Sequence, residues 1–178
     1  MIIALAGRRV DAPNAKQSRF PPQNIEIVRE RIRALLVAQG ARALISSAAC
    51  GADLLALSEA GNLGVRRIVV LPFGRERFRA TSVTDRPGEW GLLYDSVLDD
   101  VEKNADLLVT TLHSEDQAYA EVNHMILDEA LSRQRRLKSP VTAVLVWDGK
   151  SRGAGDLTAE FGVYARRKSI PVVELMTL

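Results

Sequence analysis

The segment LISSAACGADLLAL, residues 44–57, places five small side chains, Ser46 to Cys50, and then Gly51 between an apolar run and a helical pattern. If the run is a strand, Ala49 to Ala52 form the first turn of the helix that follows. The N–H groups of such a turn lack partners within the helix and carry the positive end of its dipole. Small side chains at Ser47 and Gly51 let an anion such as phosphate come close to them. Tight packing of strand against helix would select the same residues. Asp53, one step into the helix, is able either to satisfy a backbone N–H or to take a ligand hydroxyl. Cys50 has no histidine nearby in sequence, so within this turn it reads as a small buried hydrophobe rather than a nucleophile.

A second set of chemical groups follows the first apolar run. In AGRRVDAPNAKQSRFPP, residues 6–22, Gly7 allows a sharp turn and puts Arg8 and Arg9 at the end of the run. An arginine there can pair with a phosphate through two parallel hydrogen bonds, or reach solvent or a carboxylate instead. Arg75, Arg77, Arg79 and Arg86 all fall within residues 74–88 and would either add a small positive mouth or stand as scattered, solvated surface charges. Tyr119 and Asn123, four apart, share one helix face and suit contacts to a ribose or a base, although a helix start rich in capping groups would read the same. His113 and His124 have no second histidine at ligand spacing, which argues against a metal site.

These groups need a scaffold, and the pattern of apolar residues supplies one. Residues 2–6, 41–46, 65–73, 106–112, 141–147 and 170–176 read as strands. Helical patterns fill residues 25–39, 50–61, 89–104, 118–136 and 156–168. In the first of these, Ile25, Val28, Ile32, Leu35 and Leu36 mark one buried face, and Gly40 is its terminator. Residues 74–88 are polar and basic without periodicity, and read as a long functional loop. Strands rich in Val, Ile and Leu on both faces, alternating with helices, imply a doubly wound α/β fold. Its mostly parallel sheet of about six strands carries helices on both faces. Ligands of such sheets bind outside the carboxyl ends of the strands, where the strand order reverses.

The chain has 178 residues with no linker-like division, which points to a single domain over 1–178. No apolar run approaches the roughly 18 to 20 residues of a membrane span, and the N-terminus lacks the order of a secretory signal. A cytoplasmic protein without a membrane partner is expected. A formal charge of +2 is too small to point to nucleic acid as the main partner. One cysteine excludes an internal disulfide. A homo-oligomer remains open.

Five short motifs, taken in order, resemble one family. AGRR after the first strand, SSAACGADLLAL after the second, VVLPF ending the third, FRATSVTDRPGEW beyond it and WDGKSRGAGDLTAEF near the end are similar to the SLOG superfamily. That Rossmann-like group joins the Smf/DprA domain of DNA processing to the LOG cytokinin-activating enzymes, and the motifs are closest in kind to its bacterial sensor-like branch. The resemblance spans nearly the whole chain. It implies a nucleotide-derived ligand across the strand ends, with phosphate at the glycine-rich turns and no required cofactor. Gly7 and Arg8 match the first motif; Ser47, Gly51 and Asp53 match the second. Pro72 and Phe73 match the third, where the ring would border a base. Ser82, Asp85 and Arg86 match the fourth, and Gly155, Asp156 and Thr158 the fifth.

One departure bears on activity. LOG enzymes carry P-G-G-x-G-T-x-x-E, whose glutamate serves catalysis; here the position three after Thr158 is Phe161, and Glu160 comes one residue early. On a helix that rotates it by about 100°. Two further patterns fail. Gly149-Lys150-Ser151 lacks the first P-loop glycine, since Val144 stands there. Gly153-Ala154-Gly155 approaches a dinucleotide fingerprint, but Thr158 replaces the third glycine. The leading expectation is a sensor of a nucleotide or nucleotide-derived ligand, such as an ADP-ribose-like compound or a cyclic nucleotide. The alternatives are an N-glycosidic-bond hydrolase using Asp53, Asp85, Asp156 or Glu160, and an NAD-dependent oxidoreductase.

Overall fold

The computed structural model describes residues 1–110 and 115–178, with Glu115 and Asp116 as backbone alone. Six strands form one parallel sheet: β1 (Ile2–Gly7), β2 (Ala43–Ser46), β3 (Arg66–Leu71), β4 (Leu107–Val109), β5 (Val141–Trp147) and β6 (Val172–Met176). Their order is β4-β3-β2-β1-β5-β6, and every pairing is parallel. The chain therefore winds outward from β1 to β4, then crosses back to lay β5 along β1, with Ile2 opposite Val141 and Gly7 opposite Val146. The β1/β5 junction is the switch point, so the loops after these two strands diverge and leave a crevice between them.

Side chains alternate along each strand and feed two cores. Ile3, Leu5, Leu44, Val69, Leu71, Val144 and Val146 pack under α1 (Ile25–Ala38), α2 (Ala52–Asn62) and α4 (Trp90–Lys103). Ile2, Ala4, Ile45, Ile68, Val70, Ala143 and Leu145 pack under α5 (Glu115–Leu137) and α6 (Leu157–Arg167). The doubly wound architecture is thus the observed one. On α1 the expected stripe is present: Val28, Ile32 and Leu36 are buried, with Ile25 and Leu35 at its margin. Leu54, Leu55 and Leu57 of α2 are all buried, because this helix is covered on several sides, by α1, by α4 and by the sheet.

The segment read as one long loop, residues 74–88, contains a helix, α3 (Arg75–Ser82). Its buried face is only Phe78 and Ser82, four apart, which is too little apolar content to register as periodicity. Phe78 anchors it, with its ring 6.2 Å from that of Tyr94 and 6.1 Å from that of Phe73. The loop proper is therefore residues 83–89. β4 is short. The expected extension of that strand to residue 112, and the loop residues His113 and Ser114, lie outside the described residues. No helix among the described residues is long and apolar enough to cross a membrane.

Candidate functional site

A cavity of about 660 Å³ opens at the carboxyl edge of the sheet, beside the switch point. That volume lies in the range of small-molecule sites. Its floor is the end of β1, Leu5 to Gly7, and its walls come from the following loop, the start of α2, the end of α3, and α5. On α5, Tyr119, Val122, Asn123 and Ile126 follow each other at helical spacing, so one face of the helix lines the cavity. Of the expected site residues, Gly7, Arg8, Arg9, Ser47, Asp53, Ser82, Arg86, Tyr119, Asn123 and Thr158 reach it. Cys50, Gly51, Pro72, Phe73, Asp85, Gly155 and Asp156 are not part of its lining.

The small residues at the β2–α2 junction prove to be packing residues to a large extent. Gly51 has φ +100°, and a Cβ on it would lie 2.6 Å from the Val10 nitrogen and 2.8 Å from the Arg8 oxygen. A Cβ on Gly7 would lie 2.3 Å from that of Ala52 and 2.9 Å from the Val146 oxygen. The β1–α1 loop thus lies directly on the start of α2. The main chain of that loop and of the end of α3 takes up N–H groups that an anion would need: Ala52 N–H donates to Arg8 O at 3.1 Å, and Cys50 N–H donates to Ser82 O at 3.0 Å. The Cys50 side chain is fully buried, and that burial pushes its thiol pKa up against the pull of Arg9. It is a core residue beside the cavity.

Asp53 is different. It is 7 % exposed, lines the cavity, and its Oδ1 has no hydrogen-bond partner. Burial pushes its pKa from the ordinary 3.8 up to about 7. The N–H groups of Ala49 and Gly7, the Arg9 charge and the Ser46 hydroxyl pull it partway back, yet none of them completes a hydrogen bond to Oδ1. The Ser46 hydroxyl is itself buried without a partner. A buried carboxyl with an open acceptor is expensive to keep unless something meets it.

The arginines divide into two groups. Arg8, 4 % exposed, spends its guanidinium on two buried aspartates. Nε donates to Asp148 at 3.0 Å, Nη1 and Nη2 donate to the two Asp156 oxygens at 2.6 and 2.9 Å, and Nη2 also reaches Lys150 O at 2.7 Å. Arg19 completes the cluster, donating to Asp148 Oδ2 at 2.6 Å. Burial opposes the charge on Asp156, but Arg8 and the Arg152 and Ala159 N–H groups outweigh it and hold the carboxyl at about 2. The Asp156 side chain also caps α6. Of the two readings open to Arg8 in the sequence, a phosphate or a carboxylate, the contacts here are to carboxylates: it braces the β1–α1 loop, the end of β5 and α6.

The expected positive mouth is smaller than its arginine count suggested. Arg75 pairs with Asp99 and Glu102 at 2.7 and 2.8 Å, and Arg79 with Asp95 at 2.9 Å, all on α4. Arg77 lies over the Phe73 ring at 4.5 Å. Of that set only Arg86 reaches the cavity, where it meets Arg9 across Asp85. Phe73 supports the wall from behind, edge-on to Tyr119 at 5.6 Å, and Pro72 O accepts from the Thr110 hydroxyl. The Tyr119 hydroxyl contacts Ser82 Oγ at 3.0 Å, and Asn123 Nδ2 donates to Leu157 O at 2.8 Å.

At the second glycine turn, Gly153 and Gly155 are exposed, and Glu160 does not line the cavity. His124 packs against Tyr164 with ring centroids 4.1 Å apart. Asp148, Arg19, Asp11 and Phe78 were not singled out by sequence. Only Asp148, first after a strand, carries a positional signal that would have drawn attention to it.

No family model matches the chain, and no curated protein does. Among solved structures it is similar to DNA processing protein A (DprA) from Streptococcus pneumoniae, at 14 % sequence identity and a TM-score of 0.39. The match covers 97 % of this chain and 57 % of that one, so the chain spans little more than half of that structure's length.

Proposed function

We propose that the cavity binds a nucleotide or nucleotide-derived ligand, and that the chain is a SLOG-type ligand-binding domain. The observation that carries this reading is Asp53, a buried carboxyl with one oxygen, Oδ1, unpartnered, in the lining of a 660 Å³ cavity at the switch point. A ribose hydroxyl is a donor of the size and polarity that such an acceptor lacks. Arg9 and Arg86 supply positive charge on the same cavity for a phosphate, and Phe78, Val122 and Ile126 supply apolar surface for a base. Phosphate is thereby assigned to arginine side chains rather than to the covered start of α2.

The pKa of Asp53 favours a second reading. A carboxyl near 7 is matched to proton transfer at neutral pH, so Asp53 would suit acid or base work on an N-glycosidic bond. Both readings use the same cavity.

One experiment separates them. Thermal unfolding is followed with AMP, ADP, ADP-ribose, cyclic AMP and NAD, and each mixture is then examined by mass spectrometry. A ligand at about 100 times its Kd should raise Tm by roughly 5–10 °C. Stabilisation by an intact compound, lost in Asp53→Asn, supports a binding domain. Release of free base supports the hydrolase. No shift with any of them overturns the assignment of the cavity.

A further inference from the structure

Two of the arginines that line the cavity, Arg9 and Arg86, are each held on one side only. Arg9 Nε donates to Cys50 Sγ at 3.4 Å, and its Nη2 donates to Asp85 Oδ1. Arg86 Nε donates to Val10 O at 3.2 Å, and its Nη1 donates to Asp85 Oδ2 at 2.7 Å and to Asp85 O at 3.3 Å. No described residue accepts a hydrogen bond from Arg9 Nη1 or Arg86 Nη2. Arg8 differs, since all three of its nitrogens are engaged. So does Arg75, whose two Nη groups both meet α4.

Asp85 bridges the pair without lining the cavity. It therefore fixes two guanidiniums relative to each other and leaves one Nη of each uncommitted, and each Nη carries two N–H donors. Two arginines against one aspartate also leave the trio with a net positive charge. The Val10 contact ties it to the β1–α1 loop, which the Arg8 cluster braces, and the Cys50 contact ties it to the β2–α2 junction. Preorganised donors of this kind lose little freedom on meeting an anion.

We propose that Arg9 and Arg86, aligned by Asp85, form a subsite for the terminal phosphate of a phosphomonoester. This inference rests on the reading of the cavity as a nucleotide site, and deepens it by naming the ligand class. A terminal phosphate offers three non-bridging oxygens to the uncommitted donors of two side chains. A cyclic phosphodiester offers two and one charge fewer, and a nucleoside offers none. Neither Gly153 nor Gly155 lines the cavity, so the subsite does not use that glycine turn, and it makes Asp85 a positioning residue.

The test is isothermal titration of the full chain with AMP, adenosine, cyclic AMP and inorganic phosphate at fixed ionic strength. AMP should bind at least tenfold more tightly than adenosine or cyclic AMP, a comparison that needs no variant. Inorganic phosphate should compete with AMP, which shows that the phosphate itself is recognised. Arg9→Met and Arg86→Met should each weaken AMP by about 10- to 100-fold, the worth of a charge-assisted hydrogen bond, and leave adenosine unchanged. Adenosine binding as tightly as AMP would overturn the phosphate subsite and leave the nucleotide cavity standing. Loss of AMP and adenosine affinity together in both variants would likewise overturn it. No binding of any nucleoside or nucleotide would overturn both.

Discussion

Replacing Asp53 by asparagine should stabilise the protein, and by an amount that depends on pH. In the unfolded chain this carboxyl titrates near 3.8; in the folded one, burial holds it at about 7. Below pH 3.8 it is protonated in both states and contributes nothing. As pH rises from there the unfolded chain gives up the proton first, so the folded state loses about 1.36 kcal/mol per pH unit. The loss is complete above pH 7 and amounts to about 4 kcal/mol. Asparagine keeps the shape and never ionises. Its amide group brings new donors, for which about 1 kcal/mol should be set against the gain.

The expected net effect is a variant about 2–3 kcal/mol more stable than the wild type at pH 8. The gap should shrink to a few tenths of a kcal/mol at pH 5. Urea unfolding of both proteins at pH 5, 6, 7 and 8 measures this, with equal m values confirming that the same surface is exposed. A gap that does not change with pH, or an Asn variant that is the weaker one at pH 8, would refute the reasoning. It would mean that Asp53 is ionised at little cost, through partners that satisfy it.

Other consequences follow from the same geometry. Arg8→Met leaves Asp148 and Asp156 buried without their main cation, and should cost about 3–5 kcal/mol in urea unfolding. Asp156, held at about 2, gives a stabilisation that is complete above pH 3.8 and lost as pH falls through 2. Acid unfolding of Asp156→Asn, followed by circular dichroism between pH 4 and 2, should therefore show a shallower dependence on pH than the wild type. Gly51→Ala forces a Cβ to within 3 Å of the Val10 nitrogen and the Arg8 oxygen at a left-handed φ. The expected cost is more than about 2 kcal/mol, and a thermal midpoint equal to the wild type's would refute the packing role.

The elements of the sheet were legible because burial on both faces makes strands short, continuous apolar runs, and because α1, α4 and α6 each bury one stripe. α3 was not, because Phe78 and Ser82 are its only buried residues, while Arg75 and Arg79 are taken up by carboxylates on α4. Asp53 was visible as chemistry from its place after a run of small residues. That its Oδ1 would lack a partner was not, since this depends on where the β1–α1 loop lies. Arg8 is the instructive case. Its position at the strand end was correct, but its partners, Asp148 and Asp156, are far along the chain, and sequence spacing carries no sign of which carboxylate an arginine will meet. Arg9, beside it, also lines the cavity but pairs with Asp85 instead, and only the turn of the backbone decides between the two.

The place of β1 in the sheet also sets the order in which the protein can assemble. Its neighbour on one side, β2, follows after one helix, but its other neighbour is β5, with Ile2 paired to Val141. Until that strand is made, β1 offers an unpaired backbone edge with strongly apolar faces, the kind of template on which other chains add. Closing that edge requires a contact of long sequence separation, which is slow to form. The switch-point crevice that houses the cavity is thus also a seam that closes late, and the Arg8–Asp156 contact, 148 residues apart, is the latch that records its closure. A variant that weakens this latch would leave more chains caught in the half-built sheet, and would be recognised by poor yield before any loss of binding.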